Sequence, residues 1–303
     1  MELRHLRYFL AVAEERNFTR AAVKVGIGQP PLSQQIRALE DEIGTPLFHR
    51  VPHGAELTEA GSAFLPRART ILRESHEAKI AAQRASRGET GRLRVGFSVS
   101  AAFNPAVPAP IRNFRHAYPG VQLSLVEANT LQLLDLLQRG GIDIGFIRPG
   151  PDDPENLRLH RFRDEPMLAV LPAAHPLAAR ESLPLSALAG ESFVLYPRTV
   201  GLGLYDEVIT CCRKAGFTPR PAIGFEPELV QEAPQLSSVI NLVAAEMGVS
   251  LVPGSMARVR VPGVVYVPFS GEAPVARLAC AVRRGEWTAT AHNFMALASR
   301  IEG

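Results

Sequence analysis

The segment 17–50 constrains the fold of this chain more than any other. Its second half carries apolar residues at the helical spacing of three to four, which predicts a helix with one buried face made by Leu32, Ile36, Leu39 and Ile43. Two prolines stand at the start of that helix, where a missing backbone N–H costs little. Two glycines frame the turn before it. The pattern predicts two short helices joined by a tight turn and followed by a loop.

The face opposite the apolar stripe is polar and holds Gln29, Ser33, Gln34 and Arg37. Such a face suits the major groove of DNA, since Arg can pair with guanine, Gln with adenine and Ser with either. Arg50, in the loop after the helix, is expected to reach a phosphate or the minor groove. We therefore predict a DNA-reading helix-turn-helix, with an ordinary solvated helix face as the alternative.

The net positive charge of the chain lies in this same part of the sequence. The 303 residues carry a formal net charge of +3. Through Arg92 the sequence holds 14 Lys/Arg against 11 Asp/Glu, whereas the remainder holds 19 of each. An amino-terminal excess is what contact with DNA phosphates favours, although a chance unevenness of three charges is the simpler alternative.

The sequence divides into three parts: a DNA-binding domain at 1–57, a linker helix and hinge at 58–91, and an α/β domain at 92–303. The linker has a stripe of apolar or small residues at spacings of three and four, namely Phe64, Ala68, Ile71, Leu72, Ser75, Ala78 and Ala82. A projecting helix with such a stripe needs a partner, so we expect a homodimer or homotetramer. Packing within one chain is the alternative. Pro66 should bend this helix or remove one hydrogen bond.

The third part alternates strands and helices. The predicted elements are a strand at Leu93–Val99, a helix at Asn104–Tyr118, a strand at Val121–Glu127, a helix at Thr130–Arg139 and a strand at Ile142–Ile147. Such a run implies a parallel sheet. A second cycle contains Ala222–Glu226, and a strand at Val275–Val282 precedes a closing helix. We expect two lobes around a ligand cleft, one at about 92–168 plus 269–303 and the other at about 169–268.

A candidate binding site lies where strands of the first lobe end. Arg148 follows the strand Ile142–Ile147, at the carboxyl end where ligands bind in open α/β sheets. Ser98 and Ser100 close another strand, and Thr130 begins a helix. Hydroxyls and backbone N–H groups at helix starts, with one Arg, make a site for a carboxylate. Helix caps and a surface salt bridge are the alternative explanation.

The amino-terminal motifs resemble those of the LysR-type transcriptional regulators. The resemblance rests on the segments 6–9, 18–22, 29–36, 39–40, 44–50 and 57–61, and continues more loosely to the end of the chain. It implies a winged helix-turn-helix, a linker helix and a two-lobed effector domain of the type 2 periplasmic-binding-protein kind. It also implies binding to interrupted palindromes as a homo-oligomer. The segments around Tyr196 and Arg148 look most like the branch that senses products of aromatic-compound degradation.

The family's contacts carry over to named positions of this sequence. The implied DNA contacts are Gln29, Pro30, Pro31, Ser33, Gln34, Arg37 and Arg50. The implied effector pocket is Ser100, Thr130, Arg148, Tyr196 and Leu204, to which the strand-end argument adds Ser98. Gln34 stands where many members carry Arg, which removes one charge and is expected to alter operator sequence and salt dependence.

Enzymatic and membrane functions are disfavoured. The segment 96–100 lacks the final Gly of a nucleophile elbow, and no spacing predicts a cofactor or metal site. There is no apolar run long enough for a membrane span. Three cysteines, two of them adjacent, make a poor disulfide framework, and no signal peptide is evident, so we expect a cytoplasmic protein. Three alternatives stay open: a solute-binding protein, a hydrolase, and a regulator whose clamshell serves only oligomerisation.

Overall fold

The computed structural model describes residues 1–52, 54–150, 155–198, 202–223, 236–285 and 287–301. The chain forms two compact units, Met1–Arg84 and Ala85–Gly303. No helix in the described ranges is long and apolar enough to cross a membrane.

The first unit is a helical domain with a small hairpin. Its elements are α1 (Leu3–Glu15), α2 (Phe18–Val25), α3 (Gln29–Ile43), β1 (Phe48–Val51), β2 (Gly54–Leu57) and the start of α4 (Glu59–Ser86). β1 and β2 pair antiparallel and form the wing, with Phe48 opposite Leu57. Aromatic and aliphatic side chains of α1, α3 and the wing, among them Phe9 and Phe48, share one buried core.

The turn between α2 and α3 follows from local chemistry. The Asn17 side chain accepts hydrogen bonds from the N–H groups of Thr19 and Arg20, at 2.9 and 3.0 Å, and so caps α2. Gly26 ends α2 with φ of 73°, a conformation that a side chain disfavours. Two helices joined by a tight turn are thus present. Ile43 was expected to be buried but is 37% exposed, because it is the last residue of α3 and no further turn covers it.

The linker helix α4 continues through Pro66. Pro66 has no N–H, so the helix lacks one hydrogen bond there, as expected. Within α4 the buried residues are Gly61 and Ala68, whereas Ile71 is 38% exposed. Of the seven residues of the predicted stripe, Ile71, Ala78 and Ala82 are exposed in the single chain, whereas Ala68 is buried and Phe64, Leu72 and Ser75 are half-buried.

The first lobe of the second unit contains a mixed sheet. Its elements are β3 (Gly91–Phe97), α5 (Val99–Ala102), α6 (Pro108–Ala117), β4 (Val121–Glu127), α7 (Thr130–Gln138), β5 (Ile144–Ile147) and β6 (Leu157–Arg161). The second lobe follows with β7 (Glu165–Pro172), β8 (Ser192–Val194), α8 (Leu202–Lys214), β9 (Arg220–Ile223), α9 (Leu236–Ala244), β10 (Ser250–Pro253), β11 (Val264–Pro268) and β12 (Val275–Ala276). The chain then returns to the first lobe with β13 (Ala279–Arg283) and α10 (Ala289–Ala298).

The strand order in the first lobe is β4-β3-β5-β13-β6. β3 is parallel to both β4 and β5, as the alternating sequence predicted, and β13 is antiparallel to β5 and β6. In the second lobe β7 lies between β10 and β11, and β8 pairs parallel with β9. Each lobe has its own apolar core.

Three predicted elements differ from the structure. The strand predicted at Leu93–Val99 ends at Phe97, because Ser98 is the N-cap of the short helix α5. The helix predicted at Asn104–Tyr118 shrinks to α6, since Pro108 has no N–H to donate to the Asn104 carbonyl, as a helix that starts at Asn104 would require. The strand predicted at Val275–Val282 is two strands in different sheets.

The division of that last strand shows where the chain crosses between the lobes. β12 pairs with β7 of the second lobe, although the expected boundary assigns it to the first. β13 pairs with β5 and β6 of the first lobe. The chain therefore crosses at Arg277–Leu278. The predicted element Ala222–Glu226 is described only as far as Ile223, and the rest lies outside the described residues.

Candidate DNA interface and effector site

The recognition helix α3 presents its polar residues to solvent. Gln29, Pro30, Pro31, Gln34 and Arg37 are exposed. Ser33 is half-buried, and its hydroxyl accepts a hydrogen bond of 3.0 Å from the Gln29 amide. The structure therefore brings the predicted DNA contacts of α3 onto one accessible face, where the side chains of Gln29 and Ser33 hydrogen-bond to each other.

The opposite face of α3 is anchored in the core. Leu32, Ile36 and Leu39 are each 0% exposed. His5 of α1 lies 2.9 Å from the amide oxygen of Gln35, which ties α1 to α3 through a further polar contact. A helix held on its apolar side in this way offers its polar side at a defined angle.

The wing is tied to the recognition helix by one carboxylate. Glu40 of α3 accepts hydrogen bonds from the N–H groups of Leu47, at 2.7 Å, and Phe48, at 3.1 Å. Arg50 lies two residues further along β1 and is exposed. Its guanidinium carbon stands 5.2 Å from the centroid of the Phe18 ring. Glu40 was not singled out from the sequence, because a Glu on a half-buried helix face gives no signal of its partners.

The predicted effector residues gather around Arg148. Arg148 Nε lies 3.4 Å from the Ser100 hydroxyl, and Arg148 Nη2 donates to the Ser100 carbonyl at 3.1 Å. The backbone N–H of Arg148 donates to the Thr130 hydroxyl at 3.4 Å. The Ser98 N–H donates to the carbonyl of Phe146, two residues before Arg148. Tyr196 belongs to the second lobe, and the charge of Arg148 acts on its phenol, where it opposes the larger effect of burial on the pKa.

Leu204 takes a different position from the other pocket residues. It is 2% exposed and belongs to the core of the second lobe. Its neighbour Gly203 lies so close to the end of β5 that an added Cβ would stand 2.2 Å from the Pro149 carbonyl oxygen. Only glycine permits this approach of α8 to the first lobe.

Arg148 is neither a surface residue nor a free anion receptor. Its side chain is 2% exposed and its Nη2 forms a 2.7 Å ion pair with Glu165. Its Nη1 donates to the carbonyls of Ala276 and Arg277, each at 3.3 Å. The surface salt bridge considered as an alternative is therefore wrong, and direct pairing of Arg148 with a ligand carboxylate would require replacing these contacts.

Glu165 is the counter-charge that sequence reasoning missed. Its second oxygen accepts from the Ser255 N–H at 3.0 Å, and the Asn104 side chain also hydrogen-bonds to it. Burial by itself raises the pKa of Glu165, but the charge of Arg148 and these hydrogen bonds outweigh it and hold the pKa below its ordinary value. The carboxylate thus joins both lobes near their crossing point. Glu165 is the first residue of β7, so an argument from the carboxyl ends of strands did not point to it.

Buried hydroxyls lie beside this ion pair. Ser98 Oγ, Tyr196 Oη and Ser255 Oγ are buried, and within the described part of the chain none of them has a hydrogen-bond partner. Burial raises the pKa of Tyr196, so its phenol stays protonated and remains a donor. Ser255 follows the carboxyl end of β10, and the strand-end rule that selected Arg148 would have selected it too.

A cavity of about 800 Å³ is lined largely by charged side chains. Its lining includes Arg198, Asp206, Glu207 and Arg277. These side chains already form ion pairs, Arg198 with Asp206 and Arg277 with Glu207, each at 2.7 Å. These four charges are already balanced in pairs, whereas the buried hydroxyls have no partner among the described residues, so we take the hydroxyls as the candidate site.

The cysteines are packed in the cores. Burial raises the pKa of Cys211 to about 11 and that of Cys212 to about 12. Cys280 is also fully buried, and its pKa is raised by burial. The reactive thiolate form is therefore scarce at neutral pH. No cluster suited to a metal ion occurs among the residues that the structure describes.

Two family models match the chain. Residues 3–62 match the bacterial regulatory helix-turn-helix protein model of the LysR family, and residues 86–300 match the LysR substrate-binding domain. The regulator BudR of Raoultella terrigena is 40% identical over 97% of this chain and 99% of its own length. The Hca operon activator HcaR of Escherichia coli is 37% identical over 98% of this chain and 97% of its own length.

Solved structures agree with the fold. Full-length CbnR in complex with its target DNA has a TM-score of 0.83 and 28% identity, and covers 99% of both chains. Full-length BenM has a TM-score of 0.57 and 31% identity, over 99% of this chain and 96% of that one. The predicted fold class, a winged helix-turn-helix followed by a two-lobed α/β effector domain, is confirmed.

The fold and the exposed recognition helix define a DNA-binding transcription regulator. The chain belongs to the LysR family of transcriptional regulators. Its relatives are named as regulators, which confirms the expectation that it is not an enzyme.

Proposed function

We propose that this regulator reads an interrupted palindrome as a homo-oligomer and responds to a small carboxylate bound between the lobes of its second unit. Its DNA contacts are Gln29, Pro30, Pro31, Ser33, Gln34, Arg37 and Arg50. The protein acts in the cytoplasm, where its operator lies.

The effector part of the proposal rests on one observation. Ser98 and Tyr196 lie in different lobes, and each buries a hydroxyl that has no hydrogen-bond partner among the described residues. Ser98 lies two residues before Ser100, whose hydroxyl contacts Arg148, and the charge of Arg148 acts on the phenol of Tyr196. A buried donor without a partner costs free energy that a ligand acceptor regains. A carboxylate is the acceptor that gains most, because hydrogen bonds to a charged oxygen are about twice as strong as neutral ones. Arg148 holds the site together rather than pairing with the ligand.

A thermal-shift screen tests the effector. The panel contains acetate, succinate and benzoate, which differ in charge and aromatic character. A ligand at a hundred times its dissociation constant adds about 2.7 kcal/mol to the free energy of unfolding, or about 5–10 °C for a unit of this size. Tyr196→Phe and Ser98→Ala should reduce the shift.

Ser250→Ala is the matched control for that screen. Ser250 also buries a hydroxyl without a described partner, but at the opposite end of β10 from Ser255. The control should retain the full ligand shift. Equal loss in all three variants would contradict the assignment, and no shift with any carboxylate would favour a regulator whose clamshell only oligomerises.

The linker helix is the proposed contact between copies. Ile71, Ala78 and Ala82 of its apolar stripe are exposed in the single chain. Pairing with α4 of a second copy would remove this stripe from water. Ile71→Glu should therefore shift the mass measured by light scattering towards the monomer, while the neighbouring change Arg73→Glu should not. An unchanged mass for Ile71→Glu would contradict this interface.

Selection from a randomised duplex pool tests the DNA part. Wild-type protein should enrich two half-sites centred about one helical turn, or a multiple of it, apart. The enriched sequence would then serve as a defined probe. Enrichment of a single unrepeated half-site would contradict reading by an oligomer.

A further inference from the structure

We propose that Phe18 is a positioning residue for DNA binding, because its ring holds the Arg50 guanidinium in the orientation in which the wing meets DNA. The inference rests on the proposed function, in which Arg50 contacts DNA. Phe18 itself need not touch the operator.

The pair joins two elements that are distant in sequence. Phe18 is the first residue of α2, directly after the capping residue Asn17. Arg50 lies in β1 of the wing, with its guanidinium carbon 5.2 Å from the ring centroid. This distance is within the range of a cation–π interaction. No carboxylate among the described residues pairs with Arg50, so the ring is the contact that orients its charge.

The ring is fixed relative to the recognition helix. Phe18 meets Phe48 edge-on, with the ring centroids 5.9 Å apart. Phe48 is 7% exposed, and its N–H donates to Glu40 of α3. A continuous set of contacts therefore runs from α3 through Glu40, Phe48 and Phe18 to Arg50.

This geometry has a consequence for affinity. A free arginine side chain loses much rotational freedom when it docks on DNA, and that loss weakens binding. An arginine already held over a ring has lost part of that freedom before binding. Removing the ring should therefore weaken DNA binding through Arg50, even though the arginine is still present.

A double-mutant cycle tests the inference. Wild type, Phe18→Leu, Arg50→Ala and the double variant are titrated by anisotropy against the duplex selected by the wild type, at several salt concentrations. Arg50→Ala should weaken binding and reduce the salt slope by about one. Phe18→Leu should weaken binding about two- to fivefold, the size of an exposed cation–π interaction. In the Arg50→Ala background Phe18→Leu should add no further loss.

Phe18→Tyr separates orientation from folding. The tyrosine keeps an aromatic face, so it should bind as the wild type does. A loss with tyrosine equal to that with leucine would overturn the inference. The inference would also be overturned if Phe18→Leu reduced DNA affinity equally in wild type and in Arg50→Ala, since such a loss would not depend on Arg50.

The two proposals fail in different ways. If Arg50→Ala leaves affinity and salt slope unchanged, the wing contact is wrong and the role of Phe18 falls with it. The reading of DNA by α3 would still stand on the effect of Arg37→Ala. If Arg50→Ala weakens binding but Phe18→Leu does not, only the inference about Phe18 is wrong.

Discussion

Replacing Glu165 with glutamine should destabilise the second unit strongly. Arg148 is 2% exposed and its charge is balanced by the Glu165 carboxylate at 2.7 Å. Glutamine keeps the size and one oxygen acceptor but removes the negative charge. The guanidinium cannot lose its proton at ordinary pH, so the variant must bury an uncompensated charge.

The expected cost is large. Removing one partner of a buried ion pair costs about 3–5 kcal/mol. The structure also offers a comparison: Arg277 and Glu207 pair at the same 2.7 Å, but Arg277 is 40% exposed. An ion pair with one solvated partner contributes only about 0–1 kcal/mol. Glu165→Gln and Glu207→Gln therefore break ion pairs of equal length, and the two pairs differ in how deeply the arginine is buried.

Urea unfolding followed by tryptophan fluorescence measures this difference. Trp287 is the only tryptophan of the chain and lies in the second unit, so its emission reports on that unit. The free energy of unfolding should fall by about 3–5 kcal/mol for Glu165→Gln and by less than about 1 kcal/mol for Glu207→Gln. The apolar double variant Arg148→Met with Glu165→Leu should recover much of the loss, because it leaves no buried charge.

Equal losses for the two glutamine variants would refute the reasoning. They would mean that burial of Arg148 carries no special cost. A double variant as unstable as Glu165→Gln would also contradict it, since the cost would then come from packing rather than charge.

Three further outcomes are expected. Because the pKa of Glu165 is lowered in the folded state, its contribution to stability is complete above the pKa of the unfolded state and is lost as pH falls through the folded value. The difference in unfolding free energy between wild type and Glu165→Gln, measured in urea, should therefore narrow in acid. A constant difference would contradict this. Asn17→Ala should cost about 0.5–2 kcal/mol in the melting of the first unit, because two N–H groups of α2 lose their acceptor, whereas an unchanged melting curve would exclude the cap. Gly203→Ala should destabilise the second unit and reduce any ligand shift, since its Cβ would meet Pro149; Gly190→Ala, with open space around the new Cβ, is the control, and equal melting curves would contradict the close approach.

The helix-turn-helix was largely predictable because its signals are local. Asn17 can cap only the helix that follows it, and Gly26 marks the end of that helix. The apolar spacing of Leu32, Ile36 and Leu39 then assigned the buried side of α3. The prediction that Ile43 is buried was wrong, because the spacing of apolar residues does not show where the core ends.

The effector region was predictable only at its strand ends. Arg148 and Thr130 could be placed together because parallel strands end at one edge of a sheet and the helices that follow them begin at that same edge. The partner of Arg148 could not be found in this way, since Glu165 is the first residue of β7 and so lies at the amino end of a strand of the other lobe. The separation of β12 and β13 likewise depends on which sheet each strand joins, and the mostly apolar sequence from Val275 to Val282 does not reveal this.

The most direct test of the account is an anisotropy titration of the selected duplex with wild type and Arg37→Ala. Arg37 is exposed on α3, on the face opposite the buried Leu32 and Ile36. If it reads a base, the variant should lose about 1–3 kcal/mol of binding free energy and discriminate less at one base pair of each half-site. Wild-type affinity and wild-type sequence preference in Arg37→Ala would contradict the assignment of α3 as the DNA-reading helix.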